Sequence, residues 1–337
     1  MRTLLRLTLV AGVMLTTGGA DASDRMTLQL LWVTQAQFAG YYVAKDKGFY
    51  KDVNLDVTIK PGGPDTNNHE VLAAGIADVI IDWLPYALVA REQGIPLVNI
   101  SQIFQRSSYA LTCLASSGIK GLPDLRGHSV GVWFYEKEYF FLGWMAKHNI
   151  PTQGGLDGVT LVNQRSIDLL IQKQAACIST QTYNEYWQVI DSGFSPDNLV
   201  VFKYSEDGGE NLEDGLYVSG DRLKDSVFAD KLSRFVAASL RGWAWTIGNP
   251  AEAVKIVLAN DATHAETERH QTRMVAEISK LITDSPNPLG YLNPTDYEKT
   301  LAVLLSAQPV SIITRRPEGA WTHAIYEASK KYWTQER

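Results

Sequence analysis

The sequence predicts an α/β protein built from two doubly wound lobes, and three observations carry this. Apolar runs of strand length alternate with helix-like segments over most of the chain. The alternation halts at a turn-rich patch, residues 118–127, and then resumes. A weak internal echo links Leu72 to Pro85 with Leu170 to Tyr183, since both read helix end, small residues, buried strand, then a polar or aromatic loop opening a helix.

In chain order, the apolar run Leu28 to Val33 reads as a strand, Ala36 to Tyr50 as a helix stopping near Gly48, and Leu55 to Lys60 as a second strand. Asp65 or Thr66 caps a helix that runs to Ala74, and Ala77 to Ile81 is a buried-type strand. Pro85 sits well in the first turn of the helix that follows. Strands Leu97 to Phe104 and Tyr109 to Ala115 complete a largely parallel first sheet. The second series holds strands at Ser129 to Trp133, Val159 to Asn163, Ala176 to Thr180 and Asn198 to Tyr204, with helices at Tyr139 to His148 and Ser166 to Ala175. The acidic connector Glu206 to Asp214 leads back to a strand at Leu216 to Ser219, and the remainder reads as helical. Lobe 1 is therefore expected to comprise 23–115 and 206–337, and lobe 2 to comprise 116–205, joined by a two-segment hinge.

Composition narrows the function classes. With 31 Lys+Arg against 37 Asp+Glu, a net charge of −6 and no basic block, the chain lacks the electrostatic footing of nucleic-acid binding. The six histidines form no HxxxH, HxH or His/Cys cluster, so no metal is expected, and no GxSxG-type nucleophile motif appears. No cofactor is expected either. Cys113 and Cys177 fall in predicted strands, and sequence alone does not decide whether they form a bridge. Arg2 and Arg6 precede the apolar stretch Leu7 to Leu15, and Ala20-Asp21-Ala22 supplies small residues where a signal peptidase reads. Cleavage after Ala22 and a periplasmic location are expected. No segment reaches the roughly 20 apolar residues that span a bilayer.

The residues from about Leu28 to Ser219 resemble a known family, the substrate-binding proteins of ABC importers related to thiamine-pyrimidine-precursor binders and to the fungal thiamine pyrimidine synthase. The matching stretches begin with Gln37-Phe38-Ala39-Gly40-Tyr41-Tyr42-Val43-Ala44, Lys47-Gly48-Phe49-Tyr50, Pro61-Gly62-Gly63-Pro64-Asp65 and Ala73-Ala74-Gly75-Ile76-Ala77-Asp78. They continue with Leu125-Arg126-Gly127, Val130-Gly131-Val132 and Thr182-Tyr183-Asn184-Glu185-Tyr186-Trp187. The resemblance implies a bilobal, type II periplasmic-binding-protein fold that closes on a small heteroaromatic ligand and delivers it to an inner-membrane ABC permease. The protein is expected to act as a monomer. The synthase relatives imply an alternative, an enzyme with an iron site near a cysteine-rich run. The corresponding stretch here reads Asn211-Leu212-Glu213-Asp214-Gly215, without cysteine, and a binding protein rather than an enzyme is expected.

Ligands of open α/β sheets sit beyond the carboxyl ends of the strands, and two facing lobes make one cleft. Gln37, Phe38 and Tyr41 follow the first strand, Asp65 the second and Trp83 the third. In lobe 2 the equivalents are Trp133, Tyr135 and Glu138, then Tyr183, Asn184 and Glu185, while Asp214 lies at the return crossing. Aromatic faces at strand ends suit a flat heteroaromatic ring. Asn184 can both donate and accept, and Glu185 or Glu138 accepts from an exocyclic amine, which fits an aminopyrimidine. A flavin or an alkanesulfonate remains open as ligand, and ordinary core packing and solvated helix starts account for the same residue types. Arg106 and Arg165 lie near predicted strand ends, where either can bind an anion, but a surface ion pair is the more common outcome for a lone Arg and both are left outside the site.

Overall fold

The computed structural model describes residues 23–134, 138–208, 211–306 and 311–333. The expected signal peptide, residues 1–22, and the candidate Tyr135 lie outside these described residues.

The first half follows a β-α-β course: β1 (Asp24–Gln29), α1 (Ala39–Asp46), α2 (Phe49–Asp52), β2 (Leu55–Lys60), α3 (Asn68–Ala73), β3 (Val79–Asp82), α4 (Leu84–Glu92) and β4 (Leu97–Gln102). β5 (Tyr109–Leu114) opens the second half, followed by β6 (Ser129–Val132), α5 (Tyr139–Lys147), β7 (Thr160–Asn163), α6 (Asp168–Ile171), β8 (Cys177–Gln181), α7 (Glu185–Asp191) and β9 (Leu199–Lys203). The chain returns in β10 (Gly215–Ser219) and ends in α8 (Ser226–Gly248), α9 (Pro250–Asn260), α10 (Glu268–Thr283), α11 (Pro294–Ser306) and α12 (Ala324–Ser329).

Two five-stranded sheets result, ordered β2-β1-β3-β10-β4 and β7-β6-β8-β5-β9. They share one plan. β1 pairs in parallel with β2 and β3, as β6 does with β7 and β8. The two crossing strands, β10 and β5, run antiparallel to both neighbours. Each sheet is therefore mixed rather than largely parallel, because the strand that enters from the other lobe arrives from the opposite direction. The internal echo corresponds to β3 and β8, which hold the same position in the two sheets.

One lobe boundary needs correction. β5 pairs with β8 and β9, so residues 109–114 belong to the second sheet and the outward crossing is the stretch 103–108, not the turn-rich patch after Ala115. The return crossing runs from Tyr204 to β10, which joins the first sheet. Glu213 fastens the two crossings together: its buried carboxylate accepts from the Ser107 hydroxyl at 2.7 Å, the Ser108 amide at 2.9 Å and the Ser108 hydroxyl. Burial pushes this carboxyl up to about 7 against those donors.

Packing around α1 fixes the cleft side of lobe 1. α1 lies against α8, and the two backbones approach so closely that a Cβ on Gly242 would stand 2.0 Å from the Gly40 carbonyl oxygen. Any larger residue at either position must separate the helices. α11 lies against both α4 and α5, so the C-terminal helices cover both lobes instead of lobe 1 alone. In lobe 2, Cys113 and Cys177 face each other across β5 and β8 and form a disulfide. No helix among the described residues is long and apolar enough to cross a membrane.

Candidate functional site

The apolar run at the start of the chain ends its pairing at Gln29, which leaves Leu31 and Trp32 beyond the carboxyl end of β1 instead of inside a strand. The loops after β3, β6 and β8 stop at the same level, and together they enclose a cleft with two connected sections. The inner section, a cavity of about 60 Å³, is lined from lobe 1 by Leu31, Trp32, Gln35, Gln37, Trp83 and Tyr86 and from lobe 2 by Trp133, Gln181, Tyr183, Asn184 and Glu185. The outer section is wider, about 550 Å³, and shares Leu31, Trp32, Tyr86 and Trp133 with the inner one. Its polar lining includes Asp65, Thr66, Asn163 and Arg165.

Aromatic contacts stiffen the inner walls. Trp83 stacks on Tyr86 with ring centres 5.4 Å apart, and both Trp83 and Trp133 meet Tyr109 edge-on, at 5.3 and 5.9 Å. Tyr183 is held by an edge contact with Phe104 of the outward crossing. Trp83 precedes α4, whose Pro85 lies in the first turn, and Asp82 accepts from the Trp83 amide while its other oxygen meets His69 Nε2 at 2.6 Å. The indole side chain is therefore anchored at its backbone.

A buried carboxylate lies behind this wall. Asp214 Oδ1 accepts from the Trp83 indole N–H at 2.6 Å and from Gln37 Nε2 at 3.0 Å, whereas Oδ2 has no hydrogen-bond partner among the described residues. Burial pushes Asp214 up to about 8, opposed by those two donors and assisted by the neighbouring Glu213 and Asp82. Near neutrality it is held largely as the neutral acid, which suits an oxygen without a donor. Its backbone sits in the left-handed region at φ +52°, which Asp tolerates better than most residues.

On the opposite wall Glu185 begins α7. It is half-buried, its oxygens accept from the Gln181 amide at 2.9 Å and from Asn184 Nδ2 at 2.8 Å, and burial pushes the carboxyl up to about 7. Both oxygens keep acceptor capacity toward the cavity. Asn184 is in turn reached from lobe 1, with His270 Nε2 on α10 lying 2.9 Å from its Oδ1. The same face of α10 grips α7 further along. Arg273 and Arg269 lie 2.7 and 3.0 Å from Asp191, and the Arg273 guanidinium covers the Trp187 ring at 4.8 Å.

Of the residues expected in the site, Gln37, Trp83, Trp133, Tyr183, Asn184 and Glu185 line the inner section and Asp65 the outer one. Phe38 and Tyr41 do not reach the cleft. Both are fully buried in the lobe 1 core, where Tyr41 meets Trp243 of α8 edge-on at 5.8 Å. Asp214 supports the wall from behind instead of lining it, and Glu138, at the start of α5, lines neither section. Trp32, Tyr86 and Gln181 were not expected. The signal that could have found Trp32 is its place after the polar Gln29, where the strand ends. Arg106 donates to the Asp284 carbonyl, a hydrogen bond and not an ion pair, whereas Arg165, left outside the expected site, lines the outer section.

These features define the class: two mixed α/β lobes, a double crossing and an interlobe cleft make a periplasmic-binding-protein fold. Solved structures with the same architecture include the aliphatic sulphonate binding protein SsuA from Escherichia coli, with a TM-score of 0.62 at 14% identity over 84% of this chain and 85% of that one. The desulfurization enzyme DSZB shares it as well, with a TM-score of 0.60 at 12% identity over 92% and 99% of the two chains, so the fold alone does not separate binder from enzyme.

Residues 35–253 match the family described as NMT1/THI5 like, and the chain belongs to that family. Its relatives include the formylaminopyrimidine-binding protein of Halalkalibacterium halodurans, 23% identical over 300 residues, which are 88% of each chain. The riboflavin-binding protein RibY of Chloroflexus aurantiacus is 26% identical over 70% of this chain and 66% of its own. The 4-amino-5-hydroxymethyl-2-methylpyrimidine phosphate synthase of Legionella pneumophila is 24% identical over 71% and 74%.

Proposed function

We propose that the protein is an exported receptor that captures an aminopyrimidine of the thiamine-precursor type between its lobes and presents it to an ABC permease, acting as a monomer without catalysis. The observation that carries this reading is the inner cavity, where the Glu185 carboxyl faces a space walled by Trp83, Tyr86 and Trp133. An exocyclic amine donates to Glu185, and the ring face packs on the indoles. The family and the formylaminopyrimidine-binding relative support this ligand class.

The disulfide supports an oxidising compartment, since such bridges persist there and rarely in the cytosol. It also occupies the chain's two cysteines, so no thiol remains for the iron chemistry implied for the synthases. The test is a thermal-shift panel. At one hundredfold excess over Kd a ligand adds about 2.7 kcal/mol, enough for several degrees. Formylaminopyrimidine or hydroxymethylpyrimidine is expected to raise Tm more than riboflavin or taurine. A rise with taurine or an alkanesulfonate, and none with any heteroaromatic, refutes the reading.

A further inference from the structure

We propose that the outer section of the cleft is a subsite for an anionic tail on the ring-bearing ligand, with Arg165 as the group that reads it. This rests on the proposed aminopyrimidine reading of the inner cavity and deepens it, by naming the ligand as a flat ring carrying a phosphate or carboxylate.

The outer section holds far more space than one ring needs, about 550 Å³ against about 60 Å³ inside, and the two share four lining residues, so a substituent leaving the inner ring passes into it directly. Arg165 follows the carboxyl end of β7, and its loop is pinned from below: Gln164 Nε2 donates to the Ser179 carbonyl at 2.8 Å, and Gln164 Oε1 accepts from the Ser179 amide at 3.1 Å. The guanidinium is thereby presented from a fixed base. It is exposed and has no hydrogen bond or ion pair among the described residues, whereas Arg222, Arg234, Arg241 and Arg273 each hold a carboxylate. Its neighbour Asn163 adds a neutral donor on the same wall.

The facing wall carries Asp65 and Thr66, and the buried Asp82 there is already matched to His69 at 2.6 Å. Asp65, on that wall, has no ion pair or hydrogen bond among the described residues. A tail that ends in an anion is drawn to the lobe 2 wall by Arg165 and repelled from the lobe 1 wall by Asp65. The subsite therefore selects both charge and direction.

Calorimetric titration of the full chain with 4-amino-5-hydroxymethyl-2-methylpyrimidine and with its monophosphate reads the effect as a ratio of Kd values. In the wild type the monophosphate is expected to bind about tenfold more tightly, with the advantage shrinking as salt rises. Arg165→Gln is expected to bring the ratio close to one, and Asp65→Asn to enlarge it about threefold. Equal Kd values in the wild type, or an advantage that survives Arg165→Gln, overturns the subsite while leaving the ring assignment standing. If neither pyrimidine binds, the ring assignment fails, and the pair pyridoxal and pyridoxal phosphate decides Arg165 by the same ratio. No difference within that pair overturns the proposal.

Discussion

Asp214 makes the acid-base behaviour of the cleft measurable. In an unfolded chain an aspartate titrates near 4, while in the folded protein burial pushes Asp214 up to about 8. Between those values the folded state holds a proton that the unfolded chain has released. The stability this group contributes is complete below pH 4 and is lost as pH rises toward 8, at about 1.4 kcal/mol per pH unit for one proton. From pH 5.5 to 7.5 the loss through Asp214 is about 2.7 kcal/mol, or about 5 °C in Tm at roughly 2 °C per kcal/mol for a chain of this length. Asp214→Asn removes the titration while the amide oxygen still accepts from Trp83 and Gln37 and Asn also tolerates a positive φ; the new N–H₂ lies where no hydrogen-bond partner is found among the described residues, a cost that is the same at both pH values. Glu185 and Glu213 are also raised, to about 7, and titrate in both proteins. The contribution of Glu185 cancels in the comparison, and that of Glu213, which shares a charge interaction with Asp214, cancels in its larger part, the part set by burial. Thermal melts without ligand at the two pH values should show the variant losing about 5 °C less than the wild type. Parallel losses, or a steeper fall in the variant, refute the claim that Asp214 is folded in its neutral form.

Three further outcomes follow from the same geometry. Glu185→Gln is expected to weaken an aminopyrimidine more than Trp133→Phe, by about tenfold or more, since it removes the charge and turns one of the two acceptor oxygens into an N–H₂ donor beside the amine; equal small losses in titration calorimetry would remove Glu185 from the contact list. Asp191→Ala releases both Arg269 and Arg273, and because exposed pairs are worth about 0.2–1 kcal/mol each, ligand dissociation in stopped flow should speed up by about two- to thirtyfold with little change in association. Cys113→Ser with Cys177→Ser opens a loop of 64 residues and should cost about 4 kcal/mol on a chain-entropy basis, read as a lower denaturant midpoint.

The β-α-β rhythm was legible because each strand is a short apolar run bounded by turn residues, and the pocket aromatics were legible because Trp83, Trp133 and Tyr183 stand where such runs stop. Sheet membership was not. β4 and β5 are both buried on all sides, and only their pairing partners, far along the chain, say that one belongs to each lobe. Phe38 and Tyr41 show a different limit. Periodicity identifies a helix here but not which of its faces turns to α8, a choice made by the close approach at Gly40 and Gly242. The role of Asp214 depends on the residue before β10 meeting the loop after β3, and the sequence placed Arg165 near a strand end without showing that the loop there faces the lobe 1 wall.

The disulfide does more than add stability, because of where its two ends lie. Cys113 sits on the strand by which the chain enters lobe 2, and Cys177 begins the strand that leads to Tyr183, Asn184 and Glu185. The covalent link makes the entering segment and the ligand-contacting loop parts of one stiff jaw. Within lobe 2, Glu185 therefore keeps its contacts to the Gln181 amide and Asn184 tied to the same strand pair that the bridge joins.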